Sequence, residues 1–315
     1  MNVGELSEFE LISRLAAKFP ASKHVLLGSG DDAAVVAMPD GDVVISSDIA
    51  IEGVHFRQDW STGSEIGAKI AAANLADICA MGSYPVALTV AIGLPASTAV
   101  NWVEQLAAGI ADECARAKAT VVGGDISRSN QLVISITAIG QRRDQTVITR
   151  YGAEVGDTVA VAGELGWSAA GLSCLSRGQL GPREAVDKFR RPTPDYSAAW
   201  RAGKAGAHAM IDISDGLLAD AGHIAKASGV AMDLDSRALQ PDAFLVRLAR
   251  NLGVDANLWV LGGGEDHAFL ATFAKGQRLP AGFVRIGEVI AGSGEVFVDG
   301  EIPKIPAGHD HFTAK

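Results

Sequence analysis

The sequence predicts an α/β (α+β) protein of two domains, and three observations carry that prediction. Short apolar runs of strand character alternate with longer stretches whose apolar residues recur at helical spacing. At 315 residues the chain is long enough for two cores, and 48% hydrophobic against 20% charged residues is the balance of an ordinary folded protein. A polar stretch, Gln141 to Gln145 with Arg142, Arg143 and Asp144, separates two strand-bearing halves. It sets the expected boundary between an N-terminal domain of residues 1–145, a mixed sheet with helices, and a C-terminal α/β sandwich-like domain of residues 146–315.

Each element has a local reason. Ser7 with Glu10 makes a capping box, and Phe9, Ile12, Ala16 and Phe19 mark one face of a first helix. Val25 to Ala37 is an apolar strand interrupted by Gly28-Ser29-Gly30-Asp31-Asp32, and Val43 to Ile45 is a second strand ending in Ser46-Ser47-Asp48. Ser64 opens a long helix through Ile66, Ile70, Ala73 and Asp77, which stops near Gly82 before Pro85. A strand from Val86 to Leu94 precedes a helix from Ser97 to Lys118, and Thr120 to Val122 runs into Gly123-Gly124-Asp125. Val133 to Ile139 is a strong strand. The second half begins with strand Thr158 to Ala162, a Gly163-Glu164-Leu165-Gly166 turn and a helix from Ser168. Strand Ala207 to Ile213 then meets a helix in which Leu217, Ala221 and Ile224 share a face and Gly229 is the stop. Val230 to Leu234 and Leu258 to Leu261 read as further strands.

Composition excludes several classes. A formal net charge of -10 argues against nucleic-acid or anionic-membrane surfaces, which need a basic footprint. No apolar run reaches the ~18 residues of a membrane span, so a soluble, cytoplasmic protein is expected. Cys79, Cys114 and Cys174 lack paired metal-ligand spacing and read as reduced thiols.

Six acidic positions carry the chemistry: Asp31-Asp32, Asp48, Asp77, Asp125, the pair Asp212 and Asp215 around Ser214, and Glu265-Asp266. Taken singly, each reads as a turn or a helix cap. Taken together, with most expected at strand ends, they read better as an acidic site for a hard cation, since unpaired Asp is rarely buried. Other motifs fail. Gly28 to Ala33 leads into Val35-Val36 rather than a helix, against a dinucleotide fingerprint, and no phosphate loop ends in Gly-Lys-Ser/Thr. A calcium loop from Asp212 would need Gly at Leu217 and Glu at His223. Gly163 and Gly166 suit close helix-on-strand packing more than a phosphate cradle.

The ordered set Gly30-Asp31-Asp32-Ala33-Ala34-Val35, Ser47-Asp48 with Glu52-Gly53-Val54-His55-Phe56, Asn74-Leu75-Ala76-Asp77, Gly123-Gly124-Asp125, Thr149-Arg150-Tyr151-Gly152-Ala153, Asp212 to Leu217 and Gly263-Gly264-Glu265-Asp266 resembles the thiamine-monophosphate kinase family nearly end to end. Its superfamily includes aminoimidazole ribonucleotide synthetase, selenophosphate synthetase and the hydrogenase maturation dehydratase. The resemblance implies ATP-dependent phosphorylation of thiamine monophosphate to thiamine diphosphate, by a homodimer paired through its N-terminal sheets. It implies several Mg2+ ions on Asp32, Ser46, Ser47, Asp48, Asp77, Asp125, Asp212 and Asp215, and ATP contacts from Gly124, Asp125, Arg150 and Ser214. Substrate would meet His55, Glu265 and His309. No general base or covalent nucleophile is expected, because a phosphomonoester's second pKa is ~6 and the acceptor is already anionic.

The chain departs from the family pattern in places. His309 stands where an aromatic Tyr or Trp is usual, His267 where Tyr is usual, Ala76 for Ser, and Ile126-Ser127 for paired Thr. Selenophosphate synthesis would want a reactive Cys near the N-terminus, whereas the first is Cys79; hydrogenase maturation would want a C-terminal Cys, whereas the sequence ends Phe312-Thr313-Ala314-Lys315. A metal- or nucleotide-binding regulator without turnover is the alternative from another class.

Overall fold

The computed structural model describes residues 14–15, 17–20, 22–27, 35–37, 43–142 and 146–305. Most of the first expected helix, the Gly28 to Asp32 run and His309 lie outside the described residues, as do Arg143, Asp144 and Gln145 of the expected boundary. The chain divides into two compact units, Met1–Ile78 with Ser83–Asp144 and Cys79–Gly82 with Gln145–Lys315.

In the first unit, β1 (Val25–Leu27) pairs antiparallel with β2 (Val35–Val36). A separate sheet contains β3 (Val43–Ile51), β4 (Tyr84–Leu94), β5 (Thr120–Arg128) and β6 (Val133–Gln141) in the order β3-β6-β4-β5. Only β4 and β5 are parallel, and the helix between them, α2 (Val100–Ala117), is the crossover such a pair requires. The sheet is therefore mixed, as expected. Along β6, buried Ile134, Ile136 and Ala138 alternate with half-buried Val133, Ser135 and Thr137, the pattern of a strand with one face in the core. The other long helix, α1 (Gly63–Ala80), buries Ala68, Ala71, Ala72 and Ala76 completely; small side chains let neighbours crowd it from several sides.

Three local expectations change. The start of α1 is held by Thr62 rather than Ser64: Thr62 Oγ1 accepts from the Glu65 N–H at 3.3 Å, and Glu65 Oε2 accepts from the Thr62 N–H at 2.7 Å. Ser64 already lies inside the first turn. The strands expected to stop at Ile45 and Val122 continue through Asp48 to Ile51 and through Asp125 to Arg128. Long partners decide this, since β6 and β4 supply ladder bonds to backbone that Ser-Ser-Asp and Gly-Gly-Asp would not order by propensity.

The second unit is built on a six-stranded sheet of β7 (Thr158–Ala162), β8 (Ala209–Ile213), β9 (Ala231–Leu234), β10 (Ala268–Phe273), β11 (Phe283–Ile290) and β12 (Val296–Val298). Its order is β12-β9-β11-β7-β10-β8, antiparallel except for β9 with β12. Helices α3 (Trp167–Leu175), α4 (Arg183–Arg190), α5 (Tyr196–Lys204), α6 (Leu217–Ser228), α7 (Ala243–Leu252) and α8 (Ala256–Gly262) accompany it. Val159, Ile211, Ile213, Leu217, Ala221, Ile224, Met232 and Leu270 form one buried cluster, so the expected face of α6 is the core face. That helix ends at Gly229 in the left-handed conformation, also as expected.

Leu258 to Leu261 is helical, not a strand. Four apolar residues carry no period of their own, and the Asp255 carboxylate, accepting from the Asn257 N–H at 2.9 Å, starts α8. Among the described residues, no helix is long and apolar enough to cross a membrane.

Candidate functional site

In the first unit, α1 and β3 bring four polar residues together. Ser46 Oγ donates to Asp77 Oδ2 at 2.6 Å, and the Asp48 N–H donates to Asn74 Oδ1 at 3.2 Å. Asn74 is fully buried, its amide also donating to the Ile70 carbonyl, which fixes which end is oxygen. The three-residue spacing of Asn74 and Asp77 thus lays both on β3. Ser47 behaves differently. Successive strand residues face opposite sides, and Ser47 Oγ is engaged across β6 with the Ile136 carbonyl and Thr137 Oγ1. Asp125 lies on β5, at the other edge of the sheet, about 14 Å away over three ~4.8 Å strand spacings. Its Oδ2 accepts from Ser127 Oγ at 3.1 Å. One sheet therefore brings Ser46, Asp48 and Asp77 together but not Asp125. His55 sits in the turn after β3, its Nδ1 accepting from the Ile51 N–H at 3.1 Å, which puts the ring proton on Nε2.

In the second unit, the end of β8 and the loop before β10 form one structure. Asp212, 3% exposed, pairs in register with Phe269, and its Oδ2 lies 3.0 Å from Nδ1 of His267, 6% exposed. The loop is laced to the turn after β8 by the Glu265 N–H to the Ser214 carbonyl at 2.8 Å and the His267 N–H to the Ile213 carbonyl at 3.0 Å. Glu265 and His267 both have positive φ, 65° and 53°, which is costly for residues with a Cβ. Asp266, between them, pins the loop: its carboxylate accepts from the N–H groups of Gly166 at 2.5 Å and Ser168 at 2.7 Å. Burial pushes that carboxyl up to about 6 against the pull of these donors. The N-terminus of α3 is thus taken by Asp266 rather than offered to a phosphate. Gly163 and Gly166 serve packing, since a Cβ on them would lie 2.8 Å from Ala268 Cβ and 2.9 Å from the Trp259 carbonyl carbon. The adjoining cavity, lined by Gly163, Trp167, Lys188 and His267, is about 20 Å³, room for water rather than nucleotide.

The turn after β8 shows what sequence reasoning missed. Neither Asp212, Ser214 nor Asp215 caps α6; its cap position is Gly216, and Asp220 Oδ2 reaches back to accept from the Asp215 and Gly216 N–H groups, both at 3.1 Å. An acid in the first helical turn is the signal that could have found it. Burial, then the charges of Asp212 and Asp215, push Asp220 up to about 7. Oxygens of Asp215 and Asp220 and a nitrogen of His223 lie within 4.8 Å of one another, a grouping able to hold a cation. Exposed Arg150 sits in a segment beside β8, where the Met210 N–H donates to the Thr149 carbonyl at 3.1 Å and Ser228 Oγ donates to the Arg150 carbonyl. Asp32 and His309 lie outside the described residues.

Residues 30–141 match the family model described as AIR synthase related protein, N-terminal domain, and residues 154–300 match its C-terminal domain counterpart. The thiamine-monophosphate kinase of Mycobacterium tuberculosis is 45% identical over 298 residues, 94% of this chain and 89% of that protein. The chain belongs to the thiamine-monophosphate kinase family. The Corynebacterium glutamicum member is 40% identical over 98% of this chain and 95% of its own. Among solved thiamine-monophosphate kinases, the Stenotrophomonas maltophilia structure superposes with a TM-score of 0.82 at 35% identity, covering 95% of this chain and 98% of its own. The AaThiL complex with AMPPCP and TMP gives 0.81 at 34% identity over 99% of both. A HypE structure in complex with ATP, 18% identical at a TM-score of 0.76 over 93% of this chain and 91% of its own, has the same fold.

Proposed function

We propose that this enzyme phosphorylates thiamine monophosphate to thiamine diphosphate with ATP, by direct in-line transfer assisted by several Mg2+ ions. The observation that carries the reading is the likeness over 99% of both chains to a family member complexed with AMPPCP and TMP. In the proposed step, an oxygen of the acceptor phosphate bonds to the γ-phosphorus while the bond to the β,γ-bridging oxygen breaks, and ADP leaves with the electron pair. The acceptor is already anionic, so charge repulsion is the obstacle rather than proton removal.

The donor set fits a hard cation. It consists of carboxylate and hydroxyl oxygens, and Asp212 is buried with one oxygen taken by an imidazole. In this reading Asp32, Ser46, Ser47, Asp48, Asp77 and Asp125 of the first unit, and Asp212 and Asp215 of the second, hold Mg2+. Bound there, the ions supply positive charge against the phosphates. Gly124, Asp125, Arg150 and Ser214 contact ATP, with the planar guanidinium suited to phosphate oxygens. His55, through Nε2–H, and Glu265 and His309 position thiamine monophosphate.

We place the protein in a homodimer through its N-terminal sheets. Val43, Ile45 and Ile49 of edge strand β3 are 45%, 64% and 54% exposed, an apolar row that pairing would cover. Pairing of β3 of one copy with β5, the opposite edge, of the other would also let Asp125 approach the acids of β3 that its own sheet keeps distant. Sedimentation as a monomer at micromolar concentration would count against it.

The deciding experiment is a substrate panel of thiamine monophosphate, free thiamine and aminopyrimidine phosphates with Mg2+ and ATP. ADP formation strictly dependent on thiamine monophosphate and Mg2+ is expected; ADP release indifferent to the acceptor sinks the reading. Asp212→Asn is expected to lower kcat at least tenfold with the fold intact, and a labelled phosphoprotein trapped with ATP alone would overturn direct transfer.

A further inference from the structure

We infer that His267 is a positioning residue that presents Asp212 to its metal ion. The inference rests on the proposed reading of Asp212 as a metal ligand. Three observations on the described residues carry it. First, His267 and Asp212 are both buried, and Nδ1 lies 3.0 Å from Oδ2. A buried carboxylate needs a donor, and an imidazole N–H on one oxygen fixes the carboxylate plane and directs the remaining oxygen, Oδ1, to a cation. Second, the histidine is held in an unfavourable backbone conformation, φ 53°. A strained residue persists where its surroundings over-determine it, and here they do. Its N–H is bonded to the Ile213 carbonyl one residue beyond Asp212, and its neighbour Asp266 is tied to the start of α3. Third, His267 also lines the small cavity at that helix start, so the residue that meets Asp212 is packed against the same element that anchors Asp266.

Three substitutions separate positioning from space-filling. His267→Asn keeps an amide N–H near the Nδ1 position and tolerates positive φ. His267→Gln moves its amide towards the Nε2 position, and His267→Leu removes the donor. Mn2+ alone is titrated into the purified full chain and free ion is read by electron paramagnetic resonance, with thermal unfolding to establish folding. The Gln and Leu variants are expected to raise the Mn2+ dissociation constant roughly tenfold, and Asn to stay within roughly threefold of the parent. A folded Gln variant that binds Mn2+ as the parent does, or an Asn variant as impaired as Gln, overturns the inference; should Leu not fold, the Asn and Gln pair decides. Asp212→Asn, titrated alongside, tells the two failures apart. If it leaves Mn2+ affinity unchanged, the metal reading of Asp212 fails and takes the inference with it. If it weakens binding while His267→Gln does not, only the positioning role fails.

Discussion

Gly264→Ala tests whether the 263–267 loop and the turn after β8 act as one piece. A Cβ on Gly264 would lie 2.1 Å from the Ser214 carbonyl oxygen and 3.0 Å from its carbon, against backbone that cannot rotate away. Restoring an ordinary contact requires the two segments to part by about 1 Å. The Glu265 N–H to Ser214 carbonyl bond, 2.8 Å, then exceeds hydrogen-bond range, and the bond from the His267 N–H to the Ile213 carbonyl, 3.0 Å, lengthens with it. Two backbone bonds at about 1 kcal/mol each, plus a weakened charge-assisted His267–Asp212 contact, give a loss of roughly 3 kcal/mol. Gly253→Ala is the control: at φ 67° with nothing within 4 Å of the new Cβ, it costs only the left-handed penalty of about 1 kcal/mol. Urea unfolding at constant m-value measures both, and Mn2+ titration reports the site. A Gly264→Ala variant no more destabilised than Gly253→Ala, and with Mn2+ affinity unchanged, refutes the coupling of loop and turn.

Other outcomes follow from the same contacts. Gly222 lies inside α6, and a methyl group added there would meet Val296 Cγ2 at 3.9 Å, an ordinary contact, so Gly222→Ala is expected to stabilise by roughly 0.5–1 kcal/mol; a lower unfolding midpoint contradicts it. Burial holds the Asp266 carboxyl at about 6, above its unfolded value, so the folded state binds the proton more tightly. Its contribution is therefore fully present below pH ~4 and lost as pH rises through about 6. Against Asp266→Asn, which does not titrate, the parent is expected to lose more stability between pH ~4.5 and ~6.5; parallel pH profiles would show that this carboxyl is not the cause.

Local chemistry made much of the fold legible. Strand Thr158–Ala162 forms as expected, and Gly229 ends α6 where the sequence put the stop, because each depends on a few adjacent residues. Local patterns misled where a distant partner decides. Asp48 and Asp125 looked like strand ends, since Asp and Gly favour turns, but β6 and β4 carry them into ladders. Leu258 to Leu261 lacked a period, and only the Asp255 cap made it a helix. Asp220 was overlooked because its partners, the N–H groups of Asp215 and Gly216, become unsatisfied donors only once α6 exists.

By itself the sequence determined the inventory: two α/β halves, an acidic excess, the order of the motifs, and Asp212 with Asp215 at the junction of a strand and a helix. The family followed from that order, since many short motifs in fixed succession are far more specific than any one of them. Tertiary structure alone decided the company each acid keeps. It put Asp77 on Ser46, held Asp125 at the far edge of the sheet, and turned His267 onto Asp212 across 55 residues of chain. The physical reason is that hydrogen bonding and burial of a carboxylate depend on which elements pack together, a property of sheet order and loop closure that no local spacing encodes.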